Sequence, residues 1–256
     1  MRVRALVVCL LLAISGACGG GADFFKQYEY EEEAYLSLDG SATMYVNSSV
    51  SALNALRGTS FDTRPDALLD KGQIGAFFSA PGVKVTRITF SSRNSRNYLH
   101  VRMDVDDVRR LGGTRAFGWS TYSFTQADNL MLYRQQVGKA AGAPGGVEWK
   151  GDELVAFRIH IPSKVPYHNS GAANLKRGNI LVWEQPLAAR LAGESLDLDA
   201  RMETQSILYR TLALFGITIV LVAILFAGVL WWVVRVKGRR ALAEGTMGPA
   251  QGRKAG

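Results

Sequence analysis

Two cysteines and three histidines are all that 256 residues offer to thiol or imidazole chemistry. Cys9 lies in an apolar leader segment, so at most Cys18 survives processing and no disulfide within the chain is expected. His100, His160 and His168 are scattered and follow no helical two-histidine spacing, which leaves metal binding without support. No G-x-S-x-G, Walker loop or dinucleotide fingerprint occurs, so the sequence names no reaction, no catalytic residue and no cofactor. The glycine-rich "GGTRAFG", Gly112 to Gly118, neither follows a clear strand nor opens a helix, so a phosphate loop is not indicated there. "DVDDV" around Asp104, Asp106 and Asp107 lacks the glycine and distal glutamate of a calcium loop and reads as a solvated strand end. We therefore expect no enzyme.

Acidic residues are scarce at the two ends. Eight of the 30 Lys and Arg residues precede Cys18 or follow Arg210, against one of the 22 acids, Glu244. The net charge of +8 thus belongs to the ends, and the part between is nearly neutral. Nucleic-acid binding needs clustered basic charge on the folded domain and is not expected.

Those ends carry the addresses. Arg2 and Arg4, the apolar run Ala5 to Ile14, and small Ser15-Gly16-Ala17 read as a signal peptide over 1–17. The small residues suit an ordinary signal peptidase and also a permissive bacterial lipobox, and both would cut before Cys18. A missing Leu three residues earlier weighs against the lipobox. The spacer Gly19-Gly20-Gly21 and the liability of an exported free thiol weigh for it. Lipidation of Cys18 is the expectation, with 18–26 as a tether. Near the other end, 211–234 carries no charge and as a helix is about 36 Å long, enough to cross a bilayer. Tyr209 and Trp231-Trp232 mark its rims, and Arg235, Lys237, Arg239 and Arg240 follow. The positive-inside rule puts the tail 235–256 in the cytoplasm and the domain 27–204 outside, on a bacterial cell membrane. The last expected strand ends about eight residues before the span, a tether of at most roughly 28 Å.

Within 27–204 the pattern is mostly strand. Asp39-Gly40 between two extended runs signals a hairpin. Helices are expected over Ser49 to Leu56 and Arg64 to Ser79. Val155, Phe157, Ile159 and Ile161 alternate with Arg158 and His160, and Leu196 to Met202 alternates with Asp197, Asp199 and Arg201. The fold class expected is α+β: a curved antiparallel sheet of about eight strands, two inserted helices and one C-terminal transmembrane helix. Glu31, Glu32 and Glu33 read as a solvated edge that discourages strand addition. Asn47-Ser48-Ser49 is a glycosylation sequon, relevant in a eukaryote alone.

The stretch "FRIHIPSKVPYHNSGAANLKRGNILVWEQPL", Phe157 to Leu187, resembles the LppM-type domain family. The matching residues are Pro162, Val165, Asn169, Gly171, Gly178, Asn179, Val182 and Trp183, while Ser163 stands where the family usually has Gly. The opening hairpin and the C-terminal span with its basic flank are similar too. The resemblance implies a mixed α+β domain whose curved sheet encloses an apolar cavity. It also implies an envelope role, with lipid or glycolipid binding attributed to some members. Phe157, Ile159, Val182 and Leu198 are the candidate cavity walls, though each is equally suited to an ordinary core. The expected function is a membrane-anchored, non-enzymatic protein that binds a lipid or other hydrophobic envelope ligand. A membrane-proximal interaction scaffold without a small ligand is the alternative.

Overall fold

A computed structural model of the chain describes residues 28–142, 149–171 and 179–245. The expected signal peptide, the tether with Cys18, Gly178 and the tail after Gly245 lie outside the described residues. Two units divide after Thr204.

The first unit is α+β. Strand β1 (Tyr28–Leu36) turns at Asp39-Gly40 into β2 (Ala42–Ser49). The Asp39 carboxylate accepts from the Ser41 amide and hydroxyl, and Gly40 takes φ +92°, a conformation other residues resist. Helix α1 (Val50–Arg57) follows at once, its N-terminus capped by Ser49, whose side chain accepts from the Ala52 amide. Helix α2 spans Lys71–Phe78, shorter than expected. Asp70 caps it through the Gly72 amide, while Arg64 to Ala67 closes a separate turn. A capping aspartate beats a first-turn Pro-Asp pair when glycines 72 and 75 already weaken the helix.

Then come β3 (Val83–Arg93), β4 (Arg96–Val105), a 3-10 turn at Val108–Gly113, β5 (Ser120–Ala127) and β6 (Leu130–Val137). The remainder is β7 (Leu154–His160), the two-residue β8 (Tyr167–His168), β9 (Ile180–Pro186), α3 (Leu187–Leu191) and β10 (Leu196–Glu203). The ten strands form two open sheets rather than one. The larger has the order β3-β4-β2-β1-β7-β9 and the smaller β5-β6-β10-β8. All pairings are antiparallel except β1 with β7, which is parallel. Alternation fixes the face a residue occupies but says nothing of which distant strand lies beside it.

Inward residues of both sheets share one core, with Phe157, Ile159, Leu198, Leu181 and Val46 each at most 2% exposed. The segment after β6 straps α1. The Ala141 and Gly142 amides donate to Leu56 and Ala55 carbonyls at 2.9 and 3.2 Å, and the Gly58 amide to Asn54. Gly142 comes so close that a Cβ there would lie 2.2 Å from the Asn54 oxygen.

The second unit is α4 (Ile207–Gly245). Its stretch Ile207–Arg235 is long and apolar enough to cross a membrane, with a mean hydropathy of 2.8. The Thr211 and Thr218 hydroxyls donate back to the Ile207 and Leu214 carbonyls at 2.9 Å, which leaves neither to be satisfied by water.

Candidate functional site

The glutamate run is not a solvated edge. β1 lies inside the larger sheet, and its alternation sends Glu32 inward and Glu31 and Glu33 outward. The outer pair is met by Arg158, which reaches Glu31 at 3.1 Å, and by His160, 2.6 Å from Glu33. Burial alone would raise the Glu33 carboxyl, but the His160 hydrogen bond and charge and the Arg158 charge hold it below its ordinary value.

Glu32 is 3% exposed and collects four donors. One oxygen accepts from Tyr122 hydroxyl and Gln135 amide at 3.0 and 3.1 Å. The other accepts from Tyr30 hydroxyl and Arg57 Nη2, both at 2.9 Å. Arg57 Nη2 also donates to the Tyr30 oxygen, and Tyr133 hydroxyl donates to Gln135 Oε1 at 2.8 Å. The network ties β1 and the end of α1 to β5 and β6, so one buried acid joins the two sheets. Burial, above all, pushes the Tyr30, Tyr122 and Tyr133 phenols well above their ordinary value, so they remain donors.

Glu32 does not use all of Arg57. The guanidinium stacks on Trp119, 3.4 Å from the ring centroid, and its Nη1 is buried without a partner, as is Trp119 Nε1. Both residues line a cleft of about 370 Å³, together with Arg115, Ala116, Gly118, Lys139 and Ala141. The sequence supplies the three cations from three places: the last turn of α1, the "GGTRAFG" loop and the strap after β6. Arg115 and Lys139 are exposed and, among the described residues, have no carboxylate within ion-pair distance. A second buried guanidinium stands behind. Arg190, fully buried at the end of α3, donates to the Gly138 and Glu194 carbonyls and to Gln185 Oε1, and lies 5.4 Å from the Trp119 ring. Burial first, and then the nearby Arg57 charge, lower its affinity for the proton. The carboxylate that answers Arg57 is Glu32, and the one nearest Arg190 is Glu194, so the lining itself is cationic.

The four expected cavity residues are not brought together. Phe157 and Ile159 pair with Trp183 and Leu181 on the inner face of β7 and β9, deep in the core. Val182 pairs with Arg158 and so faces the other side, half-buried. Leu198 is a core residue of the smaller sheet, at the floor of an open groove of about 430 Å³. The outward side chains along that groove are polar, among them Thr121, Ser123, Asp197 and the Arg134–Asp199 ion pair at 3.3 Å. Cys18 lies outside the described residues. His100 bonds Asn47 and Ser91 on the outer face of the larger sheet, and His168 bonds Ser170. Among the described residues no group of three or more His, Cys, Asp or Glu is placed to hold a metal. The cationic cleft was missed in the sequence because its members are far apart. The one local signal was an arginine inside a glycine-rich loop.

No protein-family model and no curated protein matches the chain. Among solved structures, the chain is similar to the folded domain of the Mycobacterium tuberculosis protein LppM, determined by NMR. The TM-score is 0.40 and the identity 12%, over 70% of this chain and 92% of that one.

Proposed function

We propose that this chain is a membrane-anchored binding protein of a bacterial envelope, with its two-sheet domain outside, and that it takes a lipid or other hydrophobic envelope ligand. The observation that carries the proposal is the apolar stretch Ile207–Arg235, fused to a domain whose own core is complete. The uncharged side chains of 211–234, within that stretch, are stable in hydrocarbon, and the basic residues after Trp232 favour the cytoplasm. A second anchor, two acyl chains on Cys18, belongs to the same proposal. The role is binding rather than catalysis: the buried acid Glu32 is fully engaged by four donors.

A second reading is favoured by the packing. Phe157, Ile159 and Leu198 fill the core, which suits an interaction scaffold with no small ligand inside. Organic extraction and mass spectrometry of the exported domain, Gly19 to Glu203, separate the two, because this piece carries no lipid shell around a membrane helix. A lipid at one per domain supports the carrier. An empty, folded domain transfers the assignment to the scaffold.

A further inference from the structure

We propose that the cleft at Arg57, Trp119, Arg115 and Lys139 is an anion site that takes a phosphate-type oxyanion. Three observations meet there. Among the described residues the charges lining it are of one sign: Arg57, Arg115 and Lys139, with no acid in the lining. Two N–H donors of lining residues, Arg57 Nη1 and Trp119 Nε1, are buried and unanswered among the described residues. A buried donor left without an acceptor is destabilising, more so when charged, and an oxyanion supplies several acceptor oxygens at once. The third observation is that the innermost lining cation, Arg57, is held in place. The Arg57 side chain is 3% exposed and fixed by Glu32, Tyr30 and the Trp119 ring, so little side-chain freedom remains to be lost on binding.

The nearby negative end of α1 does not oppose an anion. Its last carbonyls are taken by the Gly58, Ala141 and Gly142 amides. Arg190 adds a further positive charge behind Trp119, fixed by the Gly138 carbonyl on the same strap that carries Lys139. The size of the cleft, about 370 Å³, accommodates a phosphate group with a substituent attached. Arg115 and Lys139, exposed at the lining, make the first contact. Arg57 and Trp119 then supply the unmet donors, so loading alters the environment of the Trp119 indole.

The chemistry is shared by free phosphate and by a phospholipid headgroup, and the test distinguishes them. The full chain in maltoside micelles, which carry no phosphate, is titrated with inorganic phosphate at fixed ionic strength, read by calorimetry and tryptophan fluorescence. Saturable binding is expected. Arg115→Glu and Lys139→Glu, both at exposed positions, each weaken it at least tenfold with thermal stability unchanged. Trp119→Phe, which deletes one of the two unmet donors, weakens binding and removes the fluorescence change. No saturable heat, or wild-type affinity in the two charge-reversal variants, overturns the site. Phosphatidylglycerol added to the micelles then identifies the source. Competition with phosphate assigns the cleft to a lipid headgroup, and undiminished phosphate binding assigns it to a free anion. The site also stands apart from the proposed lipid-carrier role. A domain that extracts with lipid yet ignores phosphate would sink the anion site alone, and an empty domain that binds phosphate would sink the carrier alone.

Discussion

At the scale of single residues, the chain concentrates its polar cost in one place. Glu32 and Arg57 are each 3% exposed at the side chain, and a buried ion pair is stable when its remaining donors and acceptors are also met. Glu32 meets that condition with four donors; Arg57 meets it with one nitrogen and not the other. Removing the acid alone leaves the guanidinium unanswered. Glu32→Ala is therefore expected to lower stability by about 3–5 kcal/mol, measured by urea unfolding. Glu32→Leu combined with Arg57→Met should recover most of that loss. A double variant as unstable as the single one would show that the Tyr122 and Gln135 bonds, rather than the pair, carry the stabilisation. None of this was visible in "YEEEAYLSL", where three successive acids suggest solvent. Alternation alone would have sent Glu32 inward, but its answering cation lies 25 residues away, on another element.

At the scale of elements, local rules were read correctly at one turn and one cap and misread at the second helix, which Asp70 caps rather than Pro65-Asp66 opening it. Asp39-Gly40 makes its hairpin, and Ser49 begins α1 at the expected place. The inner faces of β7 and β10 follow their alternation. What the pattern did not hold is partnership: the parallel neighbour of β1, the division into two sheets, and the strap that ends α1. Val182 was grouped with Phe157 and Ile159 for the same reason, since the face it occupies depends on the register between β7 and β9. The strap offers a direct test. Gly142→Ala sets a methyl group against the Asn54 carbonyl and must break the two bonds that close α1, at a cost of about 1–3 kcal/mol. Gly113→Ala meets nothing within 4 Å and serves as the control. Equal melting temperatures for the two variants would show that the strap does not hold the helix.

At the scale of the whole molecule, the chain divides into a domain with its own core and a long apolar helix. A stop codon after Thr204, combined with Cys18→Ser to remove the proposed lipid anchor, is expected to release a folded domain with the urea midpoint of the full chain. Loss of cooperative unfolding in that truncation would show that the helix contributes to the fold. The order in which the domain assembles follows from the parallel pairing. β1 and β2 can join as soon as both are free to pair, but β7 arrives only after about a hundred further residues. Until then β1 is an open edge, and its outward Glu31 and Glu33 lie along it before Arg158 and His160 arrive to answer them. The same carboxylates that later form ion pairs thus keep a half-made chain from pairing with its neighbours: a safeguard needed until β7 arrives, and then built into the finished sheet.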